Sequence, residues 1–385
     1  MDLAVVAAFP FPAPQGSQVY VREQLRALAS AGARATLFCY GRGAGPPPAE
    51  IECVRVARAL SPRRTRAGPS AAKPCADVAL AALVARAGRR RRFDALLAHN
   101  AEGALAALAA RRAARAPVVY VAHTLWEEEL GSWARPALAR AAAALGARLD
   151  RWLAASADAV LVLCEAAARR LAPVARGPLR LIPPGLDVRP APVREAQERA
   201  CARAGVAPGA FALYAGNLDA YQDLALLERA ARALPGLPVV VATHEAPPPR
   251  PGALRVHRVA DADEARALAF AASAAVLARR RPGGFPIKLL NYMEAGRAIV
   301  ARRGVAPGLE HDRSAWLLEP DAGPEAFASA LRGLAADPAR AARLGAGARA
   351  ALEARHAWPE LARSTLALAA EAGAAAPLPR QAERR

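Results

Sequence analysis

Short apolar runs, separated by longer Ala-, Leu- and Arg-rich segments of helical period, recur along the whole chain. Unbroken apolar runs read as strands buried on both faces, and the segments between them as the helices that cover those faces. Together they give the signature of βαβ units stacked around parallel sheets. In the first half the predicted strands are residues 3–8, 35–39, 51–56, 95–98, 118–121, 159–163 and 179–182; a second series follows at 212–214, 239–242, 254–256, 274–277, 299–301 and 316–318. The expected class is α/β, with two Rossmann-like sheets. The Pro-Pro-Gly-Leu-Asp segment at 183–187 cannot extend a sheet, since proline fixes φ and lacks the ladder donor, and the join is placed there. The reading is an N-terminal domain over 1–185, a C-terminal domain over 186–355, a helix over 356–373 packing back toward the N-terminal domain, and a disordered tail over 374–385. Stretches 61–74 and 245–252, rich in Pro, Arg and Gly, read as surface loops.

A length of 385 residues and a hydrophobic share of 54% suit two cores. Charged residues interrupt every Ala/Leu run, so no window approaches the roughly 18 uncharged apolar residues of a spanning helix. The opening MDLAVVAAFPFP lacks a basic region and a cleavage site and reads as a first strand, not a signal peptide. Cys39, Cys53, Cys75, Cys164 and Cys201 are odd in number with no CxxC pair, which fits neither a disulfide framework nor a zinc site. A cytoplasmic protein is expected. The net charge of +19 rests almost wholly on arginine, because Lys73 and Lys288 are the only lysines. That bias, in an Ala-, Pro- and Gly-rich background, points to G·C-rich coding; an anionic membrane or acceptor is the alternative, and nucleic acid is not expected.

Two loops carry candidate chemistry. After the first strand, Pro10-Phe11-Pro12-Ala13-Pro14-Gln15-Gly16-Ser17 leads into a helix with apolar residues at Val21, Leu25 and Leu28. Gly16 permits close backbone approach, Ser17 can cap the helix, and the helix start favours an anion at the sheet's carboxyl edge. After the strand at 274–277, Arg279, Arg280, Arg281, Pro282, Gly283, Gly284, Phe285, Pro286, Ile287 and Lys288 follow in turn. Pro286 suits a first helical position and Gly296 a helix end, so this loop reads as a glycine-rich mouth flanked by Arg280, Arg281 and Lys288, suited to a diphosphate.

The segment Gly-Phe-Pro-Ile-Lys-Leu-Leu-Asn-Tyr-Met-Glu-Ala-Gly at 284–296 resembles the signature of family 4 glycosyltransferases of the GT-B fold. Other segments resemble that family in the same order: Pro14 to Ser17 with its helix, Ala122-His123-Thr124, Ala157 to Val160, the 182–187 hinge, and Tyr214-Ala215-Gly216-Asn217-Leu218. The likeness spans roughly residues 1–370. It implies two Rossmann-like domains facing each other across a cleft, with a nucleotide-sugar donor on the C-terminal side. It further implies a lipid-linked, glycan or small-molecule acceptor on the N-terminal side, retention of anomeric configuration, and neither cofactor nor obligatory metal. His123 and Lys288 become the expected catalytic residues. Gly16, Ser17, Gly216, Asn217, Gln222, Arg280, Gly283, Gly284, Phe285, Pro286 and Asn291 become the expected donor and phosphate contacts, and His99, Asn100 and Glu102 a candidate acceptor side.

The chain departs from the family where two glutamates eight positions apart are usual: Gly283 and Asn291 stand there. An Arg and a Lys usual after the donor-domain glycine are replaced by Asn217 and Gln222. Asn291 can still bond ribose hydroxyls, whereas Gly283 offers no side chain. An active enzyme of a divergent branch is the first reading; a silent nucleotide-sugar binder or partner protein and a nucleotide-sugar epimerase are the alternatives. Glu127, Glu128 and Glu129 read as a solvated first helical turn. His244, Glu245, His257 and Arg258 end strands near the expected base. The Arg89 to Arg92 run with Arg63, Arg64 and Arg66, if it shares a face with Trp133 and Trp152, suggests a peripheral contact with an anionic membrane at its inner face.

Overall fold

The computed structural model describes residues 1–13, 15–62, 72–219, 222–246, 252–280 and 283–375. Arg63, Arg64, Arg66, Arg281, parts of the loops at 61–74 and 245–252, and the tail beyond 375 lie outside them. The chain divides into two units: Met1–Gly185 with the segment from Trp358 onward, and Leu186–Ala357.

In the first unit, strands β1 (Asp2–Pro10), β2 (Arg34–Tyr40), β3 (Glu52–Arg55), β4 (Ala95–His99), β5 (Val118–Ala122), β6 (Ala159–Val162) and β7 (Leu179–Leu181) alternate with helices. These are α1 (Gly16–Ser30), α2 (Lys73–Arg90), α3 (Asn100–Ala114), α4 (Trp126–Trp133), α5 (Ala139–Ser156) and α6 (Glu165–Leu171). The strands form a seven-stranded sheet in the order β3-β2-β1-β4-β5-β6-β7, and each neighbouring pair is parallel. Every residue of β1 after Asp2, and all of β4 and β5, are buried, which is why these strands read as unbroken apolar runs. The strand order reverses between β1 and β4, so the connections leaving their carboxyl ends part to opposite faces and open a crevice there. Gly103 lets α3 sit close to β1 beside that crevice, since a Cβ on it would lie 2.7 Å from the Val6 carbonyl oxygen.

The second unit holds α7 (Arg194–Ala204), β8 (Ala212–Ala215), α8 (Leu224–Arg232), β9 (Val239–Thr243), β10 (Leu254–Arg258), α9 (Ala262–Ala271) and β11 (Ala274–Leu277). It continues with α10 (Lys288–Glu294), β12 (Ala298–Arg302), β13 (Trp316–Leu318), α11 (Pro324–Ala336) and α12 (Pro338–Arg355). Its sheet is six-stranded, ordered β10-β9-β8-β11-β12-β13, with its own switch point between β8 and β11. One face of that sheet packs on α8 and α11 through Leu227, Ala230, Phe327 and Leu331. The last helix, α13 (Trp358–Ala375), belongs to the first unit, where it packs on α1 and beside β4, β5 and β6.

Two helix starts differ from the sequence reading. Ser17 does not cap α1: Gln15 holds the N-cap position in extended conformation with no side-chain cap bond, and Ser17 falls inside the first turn. Pro286 is not a first helical residue either. It heads a tight turn in which its carbonyl accepts from Leu289 N at 2.8 Å and that of Ile287 from Leu290 N at 3.1 Å, and α10 begins only at Lys288, seven residues long. Such i to i+3 bonding tightens the entry and postpones the regular helix. The loop therefore enters α10 through a turn, and Lys288 is the first residue of the regular helix.

Candidate functional site

At the switch point of the second sheet, the connection leaving β8 meets the connection leaving β11. Lys288, the first residue of α10, reaches back across this edge: its Nζ donates to Tyr214 Oη at 2.6 Å and to Gln222 Oε1 at 3.1 Å. The same ammonium lies 3.9 Å from the centre of the Tyr214 ring, a cation–π contact. Gly216 makes the room. Its φ of +147° suits glycine alone, and a Cβ there would stand 2.6 Å from Lys288 Nζ and 2.9 Å from Cε. As a residue Lys288 keeps part of its surface open, but its charged end is enclosed by these groups. Burial first, and the Arg279 guanidinium second, hold its pKa well below the usual lysine range, with Asp219 opposing.

The lining around Lys288 is a chain of neutral amides. Gln222 Nε2 donates to Asn217 Oδ1 at 2.9 Å, Asn217 Nδ2 donates to Asp219, and Tyr214 Oη donates to the Asn217 carbonyl at 2.8 Å. Behind it lies a second bracket centred on Asp223, a non-glycine residue at φ +54° just before α8. Asp223 Oδ2 accepts from Arg280 Nε at 2.8 Å and from both terminal nitrogens of the buried Arg302 at 3.3 Å. Arg302 also donates to the carbonyls of Ala278, at 2.9 Å, and Arg279, at 3.2 Å, so it pins the start of the loop from the end of β12. Arg280, by contrast, leaves 68% of its side chain exposed and can reach a ligand.

Gly283, Gly284, Phe285 and Pro286 are buried. Gly284 adopts φ +111°, and its carbonyl accepts from Arg279 Nη1 at 3.4 Å; Phe285 packs on His356 with ring centres 5.4 Å apart. Asn291 is exposed, one helical turn beyond Lys288. Glu245 ties the β8 connection by accepting from Leu218 N at 3.0 Å, while His257 is held by Glu264 at 3.1 Å.

In the first unit the switch point brings together His99, at the end of β4, and His123, just after β5, with His99 Nδ1 2.8 Å from His123 Nε2. Tyr20 of α1 meets the His123 ring edge-on at 4.9 Å. Gly16 and Ser17 open α1 after β1 at the same sheet edge. Asn100 follows His99 in left-handed conformation at φ +61°, which asparagine tolerates. Glu102, one turn on, is engaged by Lys73 Nζ at 2.9 Å. Near it Tyr40 Oη donates to Asp77, whose carboxyl burial pushes up to about 6. Glu127 to Glu129 do fall in the first turn of α4. Arg91 of the 89–92 run is bound to Asp2, at 2.5 Å, while Arg89, Arg90 and Arg92 are exposed.

The sequence profile of Glycosyltransferase Family 4 matches residues 14–189, and that of Glycosyl transferases group 1 matches 213–337. The chain belongs to the family 4-like glycosyltransferases. A sucrose-phosphate synthase from Thermosynechococcus elongatus superposes with a TM-score of 0.76 at 22% identity, covering 97% of this chain and 100% of the other. Anabaena HepE in complex with UDP-glucose gives 0.71 at 16% identity, covering 95% and 99%. WaaG, a glycosyltransferase involved in lipopolysaccharide biosynthesis, gives 0.68 at 14% identity, covering 95% and 99%. These likenesses establish the GT-B fold. Among curated proteins none matches this glycosyltransferase in sequence.

Tyr214, Asp223 and Arg302 were not singled out from the sequence. Arg302 carried a usable signal, a charged residue closing an apolar strand at a carboxyl edge. Tyr214 and Asp223 carried little, because each gains its partner only when β8 and β11 become neighbours.

Proposed function

We propose that this glycosyltransferase moves a sugar from a nucleoside-diphosphate donor to a lipid-linked, glycan or small-molecule acceptor in surface-glycan, glycolipid or metabolite synthesis. Transfer proceeds with retention and without an obligatory metal ion. The observation that carries the reading is the Lys288 ammonium, hydrogen-bonded to the neutral oxygens of Tyr214 and Gln222 at the switch point. Departure of the diphosphate develops negative charge, and a fixed cation in a poorly solvated setting stabilises that charge without having to reorganise. Arg280 assists from its exposed position, and the backbone of Gly283, Gly284 and Phe285, shaped by Pro286, follows the phosphates. Asn291 takes the ribose hydroxyls, and Asn217 and Gln222 form a neutral polar lining beside Gly216. On the N-terminal unit, backbone amides at Gly16 and Ser17 and the His123 ring serve the sugar and reacting oxygens, with His99, Asn100 and Glu102 at the acceptor side.

A panel of UDP-, GDP-, ADP- and dTDP-sugars, scored for transfer or slow hydrolysis, tests this. HepE, solved with UDP-glucose, makes uridine donors the first choice. Turnover of any member supports transfer, binding without turnover overturns it in favour of a silent sugar-nucleotide binder, and interconversion of free sugar nucleotides indicates an epimerase. Gly283 and Asn291, in place of two acids, are what favour the silent reading as second.

We also place this enzyme against an anionic membrane, through α4 and α5 in preference to the Arg89 to Arg92 run. Trp133, Leu138, Leu145 and Trp152 are exposed by 42%, 59%, 55% and 52%. The last three recur at heptad spacing, with Arg135, Arg140, Arg148 and Arg151 exposed beside them. Large apolar side chains among arginines suit an anionic interface. The double variant Trp133→Ser, Trp152→Ser should lose most binding to vesicles of mixed phosphatidylglycerol and phosphatidylcholine. Undiminished binding, or none by the parent, would remove this contact.

A further inference from the structure

The two imidazoles at the carboxyl edge of the N-terminal sheet are coupled. His99 is fully buried and His123 is 6% exposed. Burial drives both below the usual histidine range, His99 with a further contribution from His123, and His123 to about 3. Both rings are therefore neutral at ordinary pH. Two neutral imidazoles carry one ring proton each, and only two arrangements satisfy the 2.8 Å bond between His99 Nδ1 and His123 Nε2. In the first, His99 Nδ1–H donates, His123 carries its proton on Nδ1, and His99 Nε2 keeps a bare lone pair. In the second, His123 Nε2–H donates, its Nδ1 is left bare, and His99 carries a proton on Nε2. Fixing the tautomer of one ring fixes that of the other.

The surroundings separate the two. His99 Nε2 is buried and has no hydrogen-bond partner among the described residues. An orphaned N–H is rarer in protein interiors than an under-used acceptor, so the first arrangement, which leaves only a lone pair there, is favoured. His123 Nδ1 has no bond to a described residue either, but His123, unlike the fully buried His99, keeps 6% of its surface exposed. A proton on Nδ1 can therefore be satisfied by water or by a ligand. Tyr20 does not disturb this choice: it meets His123 edge-on, and its hydroxyl accepts from Gln24 Nε2 at 2.9 Å.

We propose that His99 is a positioning residue that holds His123 in the Nδ1–H tautomer, so that His123 offers its substrate a hydrogen-bond donor and not a base. This rests on the reading of His123 as a substrate contact, although the tautomer belongs to the free protein. The oxygen that His123 meets must then be an acceptor, such as a sugar hydroxyl oxygen or a phosphate oxygen, and His123 does not deprotonate the acceptor hydroxyl.

Long-range 1H–15N correlation spectra of ring-labelled parent protein, with His99→Asn and His123→Asn used for assignment, read the protonated nitrogen of each ring. The expected result is a protonated Nδ1 and a bare Nε2 on both His99 and His123, the opposite of the form the free side chain prefers. Protonated Nε2 on both rings would overturn the proposal whether or not the enzyme turns over. His99→Leu removes the donor to His123 Nε2; transfer should then fall at least tenfold with the UDP-induced thermal shift unchanged. His99→Asn, which keeps a side-chain N–H, should recover most of that loss and retain the His123 tautomer. Full activity and an unchanged tautomer in His99→Leu would also overturn the proposal. If that variant does not fold, the parent spectrum decides.

Discussion

Lys288 sets the chemistry of the C-terminal sheet's carboxyl edge because its ammonium is crowded by a ring, an amide and Gly216 instead of being solvated. With its pKa lowered by burial and Arg279, an incoming diphosphate should raise it again, and binding should take up a proton wherever the free enzyme is partly neutral. Affinity should then weaken as pH rises above the free enzyme's Lys288 value, by at most about tenfold per pH unit. Calorimetric titration of UDP in two buffers of different ionisation enthalpy measures that uptake, and buffer-independent heats would contradict it. Gly216→Ala should act through the same side chain. Its Cβ would collide with Lys288 Nζ while its φ of +147° stays strained, a cost of about 1–3 kcal/mol that should show both in thermal stability and in UDP affinity. Lys288 and Gly216 were legible because one of only two lysines follows a glycine-rich loop at a helix start and Gly216 follows a strand end. Tyr214 was not, since nothing in its own neighbourhood announces a partner 74 residues away. The histidine pair gives a pH dependence of stability. Above about pH 6.5 both rings are neutral in either state; as pH falls below it, the unfolded chain binds protons that the folded chain refuses, and stability is lost by up to about 1.4 kcal/mol per unit per ring. Tyr20, whose ring meets both imidazoles, carries no charge to offset this. Asp77 and Asp150, pushed up to about 6 by burial, have the opposite sign, stabilising as pH falls through that value. The readout is therefore the difference in urea midpoint between parent and His123→Asn from pH 7.5 to 5. Parallel profiles would show that His123 is not held neutral by burial.

At the scale of elements, the strand series was readable because strands buried on both faces have no polar alternation to confuse with a helix surface. Helix starts were less so. Ser17 and Pro286 have the right intrinsic preferences for a cap and a first turn, but Gln15 and the tight turn at Pro286 and Ile287 take those places. Strand pairing was also hidden: β2 and β3 lie in parallel register, so Cys39 and Cys53 come within 3.5 Å although no sequence motif links them. The Asp223 bracket holds the start of α8, the β11 connection and the end of β12 together through Arg280 and Arg302. Asp223→Ala should leave the buried Arg302 without its carboxylate and destabilise the protein by about 3–5 kcal/mol, measured by urea unfolding. A loss under 1 kcal/mol would mean that the carbonyls of Ala278 and Arg279, with that of Ala322, which accepts from Arg302 Nη2 at 2.9 Å, suffice.

At the scale of the whole molecule, two parallel sheets with separate switch points give the chain two carboxyl edges that carry different chemistry. The N-terminal edge presents neutral imidazoles and a lysine already paired with Glu102. The C-terminal edge presents Lys288 among neutral partners and a half-free Arg280. Bulk charge did not reveal that contrast, because many of the 53 basic residues counted in the sequence are spent in ion pairs such as Arg91 with Asp2 and Arg266 with Glu294. The central claim is that the C-terminal edge holds the donor diphosphate through Lys288. It is tested most directly by calorimetric titration of UDP into the parent and into Lys288→Ala, each first shown to unfold cooperatively at a similar temperature. Binding by the parent and at least a tenfold weaker affinity in the variant is the predicted result; equal affinity in the two would contradict the account.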